Sequence, residues 1–452
     1  MLLKIFFAAL AIRWVYDISM FALLGDPGLQ TVDSTSYLQQ AHDFATEISA
    51  GSLHGLQWLG AVGQAMPLFQ WLIALCAMAF GRYTPIGYVL VQGAIDAGTC
   101  VLILGLARSL NERFAAPAAL AAVFNPTQIV MSGLALADTP FLFLCTLFLL
   151  AAVCFLRDPT WRWAATIGLA LGAATMTRSL AAPFAAILLI FLLIAGTRQK
   201  KMPIGYLFAK LSATAAVFLL CLAPLLWRNV SQFGAWSLTP QGGVHLALWI
   251  VPLVKEAKDG TPWERSYDDM QRRVRDRYPA PAGNPFEESR RYQVIAREQL
   301  GTLGSRAIAK AWLVGATINM ATPAVILSPP VSQLPRTGFY GTPGTSPLNK
   351  IANFLLHSDN ATYTWILLAG IAGVATMRAI QLIGIVQLLR LGGYLPILCL
   401  FGLWVAYVLA VNGPVASPKY RLPIEAPLAV LSGVGLRTLA TRYKPSPMQE
   451  PA

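Results

Sequence analysis

The stretch of the chain best suited to chemistry is residues 26–41, DPGLQTVDSTSYLQQA. It follows the first hydrophobic segment directly, and Asp33 lies four residues before Tyr37. Asp33-Ser34 is a plausible helix N-cap, which would place Asp33 and Tyr37 at the start of a short helix. A carboxylate held where a membrane span meets water can act as a general base on a lipid-borne substrate. The spacing by itself also fits an ordinary cap on an interfacial helix.

The helix that begins there continues as YLQQAHDFATEI. Its apolar residues recur at helical spacing, which predicts one face lying against a membrane surface. The residues of that face are Leu38, Ala41, Ala45 and Ile48.

The composition predicts a membrane protein. Of 452 residues, 56% are hydrophobic and 12% are charged, whereas ordinary globular domains carry about 25% charged residues. The mean hydropathy is +0.56. The six cysteines lie in apolar runs without metal-ligand spacing, so they indicate small buried side chains rather than a disulfide framework. We therefore expect an all-α polytopic membrane protein.

Ten segments are long and apolar enough to span a bilayer, which takes roughly 20 residues. They are 5–24, 86–107, 114–131, 139–156, 162–178, 181–196, 206–226, 364–382, 393–411 and 424–440. Two further apolar stretches, 66–81 and 305–327, are ambiguous, so the expected count is about 10–12 transmembrane helices. The first segment is predicted to be an uncleaved span, in which Arg13 and Asp17 would pair one helical turn apart.

The distribution of cations predicts the orientation. With the N-terminus in the cytoplasm, the short cytoplasmic segments hold 13 lysines and arginines, Lys200, Lys201 and Lys444 among them, whereas the short outer turns hold only Arg178, Lys419 and Arg421. This is the positive-inside pattern, and it puts both termini in the cytoplasm. It also places 66–81 outside, as an interfacial helix of the first outer loop. Since the net charge of +13 follows the topology, it indicates no nucleic-acid partner.

The predicted topology divides the chain into three regions. Residues 1–227 form an N-terminal transmembrane module with a catalytic first outer loop at 25–85. Residues 228–363 form a long outer, periplasmic loop region with a charged helical stretch. Residues 364–452 form the C-terminal transmembrane helices.

Several polar residues are expected at the outer ends of the spans. They are Asp138, Arg178, Arg228, Lys419 and Arg421. Cations on the outer side are exceptions to the positive-inside pattern, and where they lie beside acids they suggest a site for an anionic headgroup. For each cation alone, the ordinary explanation is snorkelling to the interface. His245, in GGVHLALW, could face the same cavity as a hydrogen-bond donor or ligand.

In this order, the motifs resemble the polytopic glycosyltransferases of the GT-C superfamily. The closest resemblance is to bacterial members akin to the protein O-mannosyltransferases and the aminoarabinose transferase of lipid A. The matching pieces, which span nearly the whole chain, are Arg13, DSTSYLQQA, PLFQWLIALCAMAFG, NPTQIVMSGLALADTPFLF, GLALGAATMTRS, PLLWRNVSQFGAW and KYRLPIEAPLAVL.

The resemblance implies an inverting transfer of a sugar from a polyprenyl-phosphate donor to a lipid, glycan or protein acceptor. Motif by motif, Asp33 falls on the catalytic base and Asp138 on a second acid. Arg421 falls near the donor phosphate, together with Lys419, while Arg228 and Arg178 match looser positions. Tyr37, Asp138 and His245 are expected at the donor and acceptor site.

The resemblance also implies a setting and partners. The enzyme would be a multi-pass protein of the bacterial inner membrane, with membrane lipids around it and its active site facing the periplasm. Some relatives use a divalent metal, which is the one cofactor left open, although the sequence shows no dedicated metal cluster.

Two other functions remain open. A flippase or transporter of lipid-linked sugars would need polar residues through the middle of several spans. The mid-span charges are few, which argues against a conduction path. An oligosaccharide ligase or polymerase would share the outer arginines without requiring the arrangement around Asp33. A non-catalytic assembly factor would not explain the outer cluster.

The orientation can be tested by cysteine labelling from outside, in a background with the native cysteines removed. We expect cysteines introduced near residues 110 and 160 to resist an impermeant reagent, because both positions fall in cytoplasmic turns. Labelling at either position would contradict the proposed topology.

Overall fold

The computed structural model describes most of the chain, and its regular structure there is helical throughout. The described residues are 1–63, 65–80, 84–199, 202–339, 341–357 and 359–442. Lys200, Lys201 and Lys444, which contribute to the predicted charge asymmetry, lie outside them.

Ten helices make up the first half. They are α1 (Leu2–Leu24), α2 (Val32–Ser49), α3 (Pro67–Phe80), α4 (Pro85–Leu110), α5 (Glu112–Val123), α6 (Pro126–Ser132), α7 (Asp138–Arg157), α8 (Trp161–Thr177), α9 (Ala182–Gln199) and α10 (Ile204–Phe233).

Ten more follow. They are α11 (Gln241–His245), α12 (Val251–Asp259), α13 (Trp263–Arg277), α14 (Pro285–Leu303), α15 (Ser305–Ala321), α16 (Pro329–Ser332), α17 (Pro347–Leu356), α18 (Ala361–Leu391), α19 (Leu395–Asn412) and α20 (Glu425–Arg442). A π-helical turn at Leu246–Ile250 joins α11 to α12, and a 3₁₀ turn at Pro418–Ile424 leads into α20.

Each of the ten predicted spans falls on helix, which confirms an all-α polytopic membrane protein. In the described residues, eight helices are long and apolar enough to cross a membrane, or nine if the bent pair α5–α6 is one span. The remaining predicted span, 162–178, forms α8, which has 17 residues and packs between α7 and α10.

The two ambiguous stretches form shorter helices. α3 has 14 residues, which rise about 21 Å, less than the roughly 30 Å of a bilayer's hydrocarbon core. α15 has 17 residues and packs against α12 and α19. Among the described helices, neither is long and apolar enough to count as a span.

The predicted pairing of Arg13 with Asp17 is wrong. The guanidinium of Arg13 instead donates to Asp96 on α4, with Nε 2.8 Å from Oδ2. Its other nitrogens donate to the backbone carbonyls of Ala122, at 3.0 Å, and Val123. These carbonyls end α5, where the chain bends by 49° before α6 and the helix leaves its last carbonyls unpaired. The guanidinium turns to Asp96 rather than Asp17, because on that side the break in the helix supplies further acceptors.

The predicted contact of α2 with the membrane surface is also wrong. Ala41 and Ala45 are fully buried, and they pack with Phe44 against the side chains of α3. Gln70 of α3 holds the connecting loop, since its amide bonds three backbone groups at Ala61 and Ala65. The first loop is therefore a folded helical hairpin, because α3 supplies the apolar partner for α2.

Removing one partner of the Arg13–Asp96 pair should strongly destabilise the protein, because neither side chain is exposed. Asp96→Ala leaves a buried guanidinium unpaired, which should cost about 3–5 kcal/mol. Glu112→Ala, which breaks the exposed Arg108–Glu112 pair, is the matched control and should leave stability unchanged. Thermal unfolding of both variants in detergent measures the difference, and equal melting temperatures would contradict the assigned role.

Candidate active site

Two acid–cation pairs meet where the ends of four helices come together. Lys419 Nζ lies 2.7 Å from Asp33 Oδ2, which joins the 3₁₀ turn before α20 to the start of α2. Arg178 Nη1 forms an ion pair with Asp138 Oδ1, which joins the end of α8 to the start of α7. The pairs bring together residues from both halves of the chain.

Asp33 is free to face Lys419 because other residues cap α2. Thr31 is the N-cap, and Thr31 and Ser34 form a reciprocal capping box in which the backbone N–H of Thr31 donates to Ser34 Oγ at 2.9 Å. The prediction that Asp33-Ser34 forms the N-cap is therefore wrong in its position. Asp33 lies in the first turn, where the helix dipole favours a negative charge.

Asp138 is likewise in the first turn of its helix rather than at the cap. Ala137 is the N-cap of α7 and makes no side-chain capping bond. The Asp138 side chain is 4% exposed, compared with 41% for Asp33. A carboxylate this deeply buried needs a partner, and Arg178 supplies it.

Tyr37 and His245 lie close enough to these pairs for the paired charges to act on both side chains. Burial raises the pKa of Tyr37, and the charges of Arg178, Asp33, Asp138 and Lys419 all act on its phenol. Burial lowers the pKa of His245, and the positive charges of Arg178 and Lys419 lower it further. The imidazole is thus neutral near pH 7, where it can both donate and accept a hydrogen bond.

We call Asp33, Tyr37, Asp138, Arg178, His245 and Lys419 the central cluster. Its two carboxylates and two cations balance when His245 is neutral. The phosphate of a lipid headgroup would therefore meet two cations that are already matched by acids.

His245 reaches the cluster on a tightly packed helix. A Cβ added to Gly243 would lie 1.8 Å from the carbonyl oxygen of Ser289 on α14, so only glycine allows this approach. The backbone N–H of Gly243 donates to Ser289 Oγ at 2.9 Å. The outer helices α11 and α14 therefore fix the position of the imidazole.

Lys419 is carried on a segment that is anchored on both sides. Before it, the side chain of Asn319 accepts from the backbone N–H of Ser417 at 2.8 Å and donates to the carbonyl of Val415 at 2.9 Å. After it, Arg421 is 2% exposed and donates to Glu425 at 2.7 Å. The same guanidinium binds the carbonyls of Asn319 and Thr322 and the hydroxyl of Thr127.

Arg228 also contacts protein atoms away from the two ion pairs. Its Nη1 donates to the carbonyl of Gly60 at 2.8 Å, and its Nε donates to Asn229 at 3.2 Å. Arg228 thereby attaches the loop between α2 and α3 to the end of α10.

The structure thus brings six of the eight predicted site residues into one cluster and engages Arg228 and Arg421 in packing contacts. Donor-phosphate binding by the latter two stays a prediction. Sequence reasoning missed Asn319, for which no local pattern gave a signal. It also missed the Arg421–Glu425 pair, which the spacing of four residues in a helix could have suggested.

No metal centre is assembled in the described residues, where no group of three or more His, Cys, Asp and Glu side chains could hold an ion. Asp33 and Asp138 are each paired with a cation instead.

Sequence comparison finds one family that matches part of the chain. The sequence model of the dolichyl-phosphate-mannose-protein mannosyltransferases matches residues 64–227, less than half of the 452 residues. The comparison with curated proteins found no match.

The fold is similar to that of solved glycosyltransferases. The oligosaccharyltransferase of Archaeoglobus fulgidus in its apo form matches with a TM-score of 0.54 and 13% identity, over 98% of this chain and 51% of that chain. The same enzyme, AglB, in complex with an inhibitory peptide and a dolichol-phosphate gives a TM-score of 0.52, 13% identity and coverage of 96% and 50%. The chain therefore spans about half the length of this relative.

A weaker match is to ArnT from Cupriavidus metallidurans bound to undecaprenyl phosphate. Its TM-score is 0.40 at 14% identity, over 95% of this chain and 77% of that chain. The likeness to the oligosaccharyltransferase is the stronger of the two. It shows that the chain has the fold of the GT-C membrane glycosyltransferases, as the sequence motifs predicted.

The two neighbouring cations Lys419 and Arg421 should respond differently to substitution. Arg421→Lys should destabilise the protein by roughly 1.5–3 kcal/mol, because a lysine cannot reproduce the buried fork of hydrogen bonds. Lys419→Gln should leave the melting temperature nearly unchanged and weaken binding of undecaprenyl phosphate. Thermal unfolding and lipid-binding titrations on both variants separate anchoring from ligand contact. A stable Arg421→Lys protein with weakened lipid binding would assign the phosphate to Arg421 instead.

Proposed function

We propose that the protein is an inverting glycosyltransferase that moves a sugar from a polyprenyl-phosphate donor to a hydroxyl or amine of a lipid, glycan or protein acceptor. The observation that carries this proposal is the central cluster, in which a half-exposed carboxylate and a buried acid–arginine pair share one place at the span ends. The GT-C fold and the partial match to the mannosyltransferase family support it.

Asp33 is the proposed general base. Its carboxylate is 41% exposed, so an acceptor can approach it, and the capping box fixes its position without using its oxygens. Asp33 would remove the acceptor proton while the acceptor oxygen or nitrogen attacks the anomeric carbon from the face opposite the phosphate. One displacement of this kind inverts the anomeric configuration.

Lys419 and Arg178 are the proposed partners of the leaving phosphate. The bond between the anomeric carbon and the phosphate oxygen breaks, and its electron pair leaves on the lipid phosphate. Cations that are already in place stabilise this developing charge most where water is scarce. Tyr37 and the neutral His245 would position the hydroxyl groups of the sugar or the acceptor.

The setting of the reaction follows from the position of the cluster at the ends of apolar helices. A lipid-linked donor can enter sideways from the bilayer and present its phosphate at that level. With both termini in the cytoplasm, the cluster would face the periplasm from the bacterial inner membrane.

Asp33→Asn tests the role of the base. We expect transfer from a purified polyprenyl-phosphate sugar to fall by about 10²–10⁴-fold, while binding of undecaprenyl phosphate persists. Asp43→Asn is the matched control, since Asp43 lies on the same helix and its Oδ1 accepts a hydrogen bond from the Gln39 side chain. Near-native turnover in Asp33→Asn would exclude Asp33 as the base.

A further inference from the structure

We propose that the phosphate of the donor takes Lys419 from Asp33 and thereby releases the base, while Arg178 stays paired with Asp138. This inference rests on the proposed function and adds the order of events at the same site: the donor binds before the acceptor is activated.

The contact between Lys419 and Asp33 would hold the free site inactive. The oxygen of Asp33 that faces the cluster, Oδ2, accepts from the ammonium of Lys419 at 2.7 Å. An acceptor hydroxyl needs that same kind of hydrogen bond before it can give up its proton. While the pair persists, Lys419 competes with the acceptor for the base.

The two ion pairs differ in how easily they can open. Asp33 is 41% exposed and Lys419 is 22% exposed, so water can solvate the carboxylate after the ammonium leaves. Asp138 is 4% exposed, so losing Arg178 would leave a buried charge without a partner. The exchange therefore takes place at Asp33 and not at Asp138.

The chemistry of the two cations also favours an exchange at Lys419 rather than at Arg178. Lysine is a point charge on a flexible stem, so it can turn to a new anion without losing a fixed geometry. The backbone on each side of Lys419 is anchored by Asn319 and Arg421. Only the side chain needs to move when the phosphate arrives.

The other charged groups around Asp33 favour the move of Lys419 from Asp33 to the phosphate. Arg178 is matched by Asp138, and His245 is neutral near pH 7 because burial and the two cations lower its pKa. An incoming phosphate therefore finds Lys419 as the cation with the more exposed partner. After the exchange, Asp33 and the phosphate are both anionic, and the acceptor can approach between them.

Zero-length cross-linking tests the exchange directly in the full-length protein in lipid nanodiscs. A water-soluble carbodiimide activates a carboxylate, and a lysine amine in contact with it then forms an amide as a urea leaves. Mass spectrometry identifies the linked peptides. We expect an amide between Asp33 and Lys419 in the free protein. With undecaprenyl phosphate at about ten times its Kd, the initial rate of amide formation should fall about tenfold by mass action.

Controls are available within the same chain. Modification of Glu264, an exposed carboxylate on α13, should be unaffected by the lipid and reports the activity of the reagent. Lys419→Arg should lack the amide, because a guanidinium does not form it, which verifies the peptide assignment. Inorganic phosphate serves as a second probe. If both probes slow formation of the Asp33–Lys419 amide, the charge of the headgroup causes the exchange. If only the lipid slows it, the exchange requires the lipid-borne phosphate.

Three outcomes would overturn the inference. The first is no Asp33–Lys419 amide in the free protein although Glu264 reacts. The second is an unchanged rate once native mass spectrometry shows that the lipid is bound. The third is lipid-induced modification of Asp138 while Asp33 stays linked. Because the assay needs no turnover, its failure is distinct from failure of the proposed function, which the transfer assay of Asp33→Asn decides.

Discussion

Partial burial at the ends of apolar helices favours the pairing of opposite charges, and the ion pair between Asp33 and Lys419 shows what this requirement achieves. The two residues are separated by 386 positions in the sequence. Their contact joins the first loop to the last helical hairpin. The same requirement explains the Asp138–Arg178 pair, in which the more deeply buried acid has an arginine. The central cluster exists because charges at the ends of separate helices satisfy one another.

Away from this cluster, the fold depends on polar side chains that bind the backbone carbonyls left unpaired where a helix breaks. The bend between α5 and α6 leaves carbonyls that Arg13 satisfies, and Asp96 balances the charge of that arginine. The side chain of Gln128 donates to the second oxygen of Asp96 at 3.0 Å. Such a network is costly to leave incomplete, so it fixes how α1, α4 and α6 pack. Helix α7, which carries Asp138, packs against α4 and α6, so this network supports that part of the central cluster.

The backbone around Lys419 illustrates how anchoring and function divide between neighbouring residues. The planar guanidinium of Arg421 binds backbone carbonyls and Glu425 within the protein. Its donors have a fixed geometry, which suits it to such anchoring. Lys419, two residues earlier, carries a flexible ammonium at the centre of the proposed site. The sequence motif KYR presents both cations alike. Burial distinguishes them, since Arg421 is 2% exposed and the Lys419 side chain is 22% exposed.

The sequence by itself determined the class of fold, because apolar runs long enough to span a bilayer form membrane helices however those helices pack. It also predicted eight site residues, of which the structure brings Asp33, Tyr37, Asp138, Arg178, His245 and Lys419 together, whereas Arg228 and Arg421 make packing contacts. The tertiary structure alone decided which charge pairs with which. Arg13 binds Asp96 rather than Asp17, and Thr31 rather than Asp33 caps α2, because the break in one helix and the start of another create acceptors and donors that local spacing does not reveal. Ion-pair partners such as Arg13 and Asp96, or Asp33 and Lys419, lie tens to hundreds of residues apart, and only the packed helices bring them within hydrogen-bonding distance.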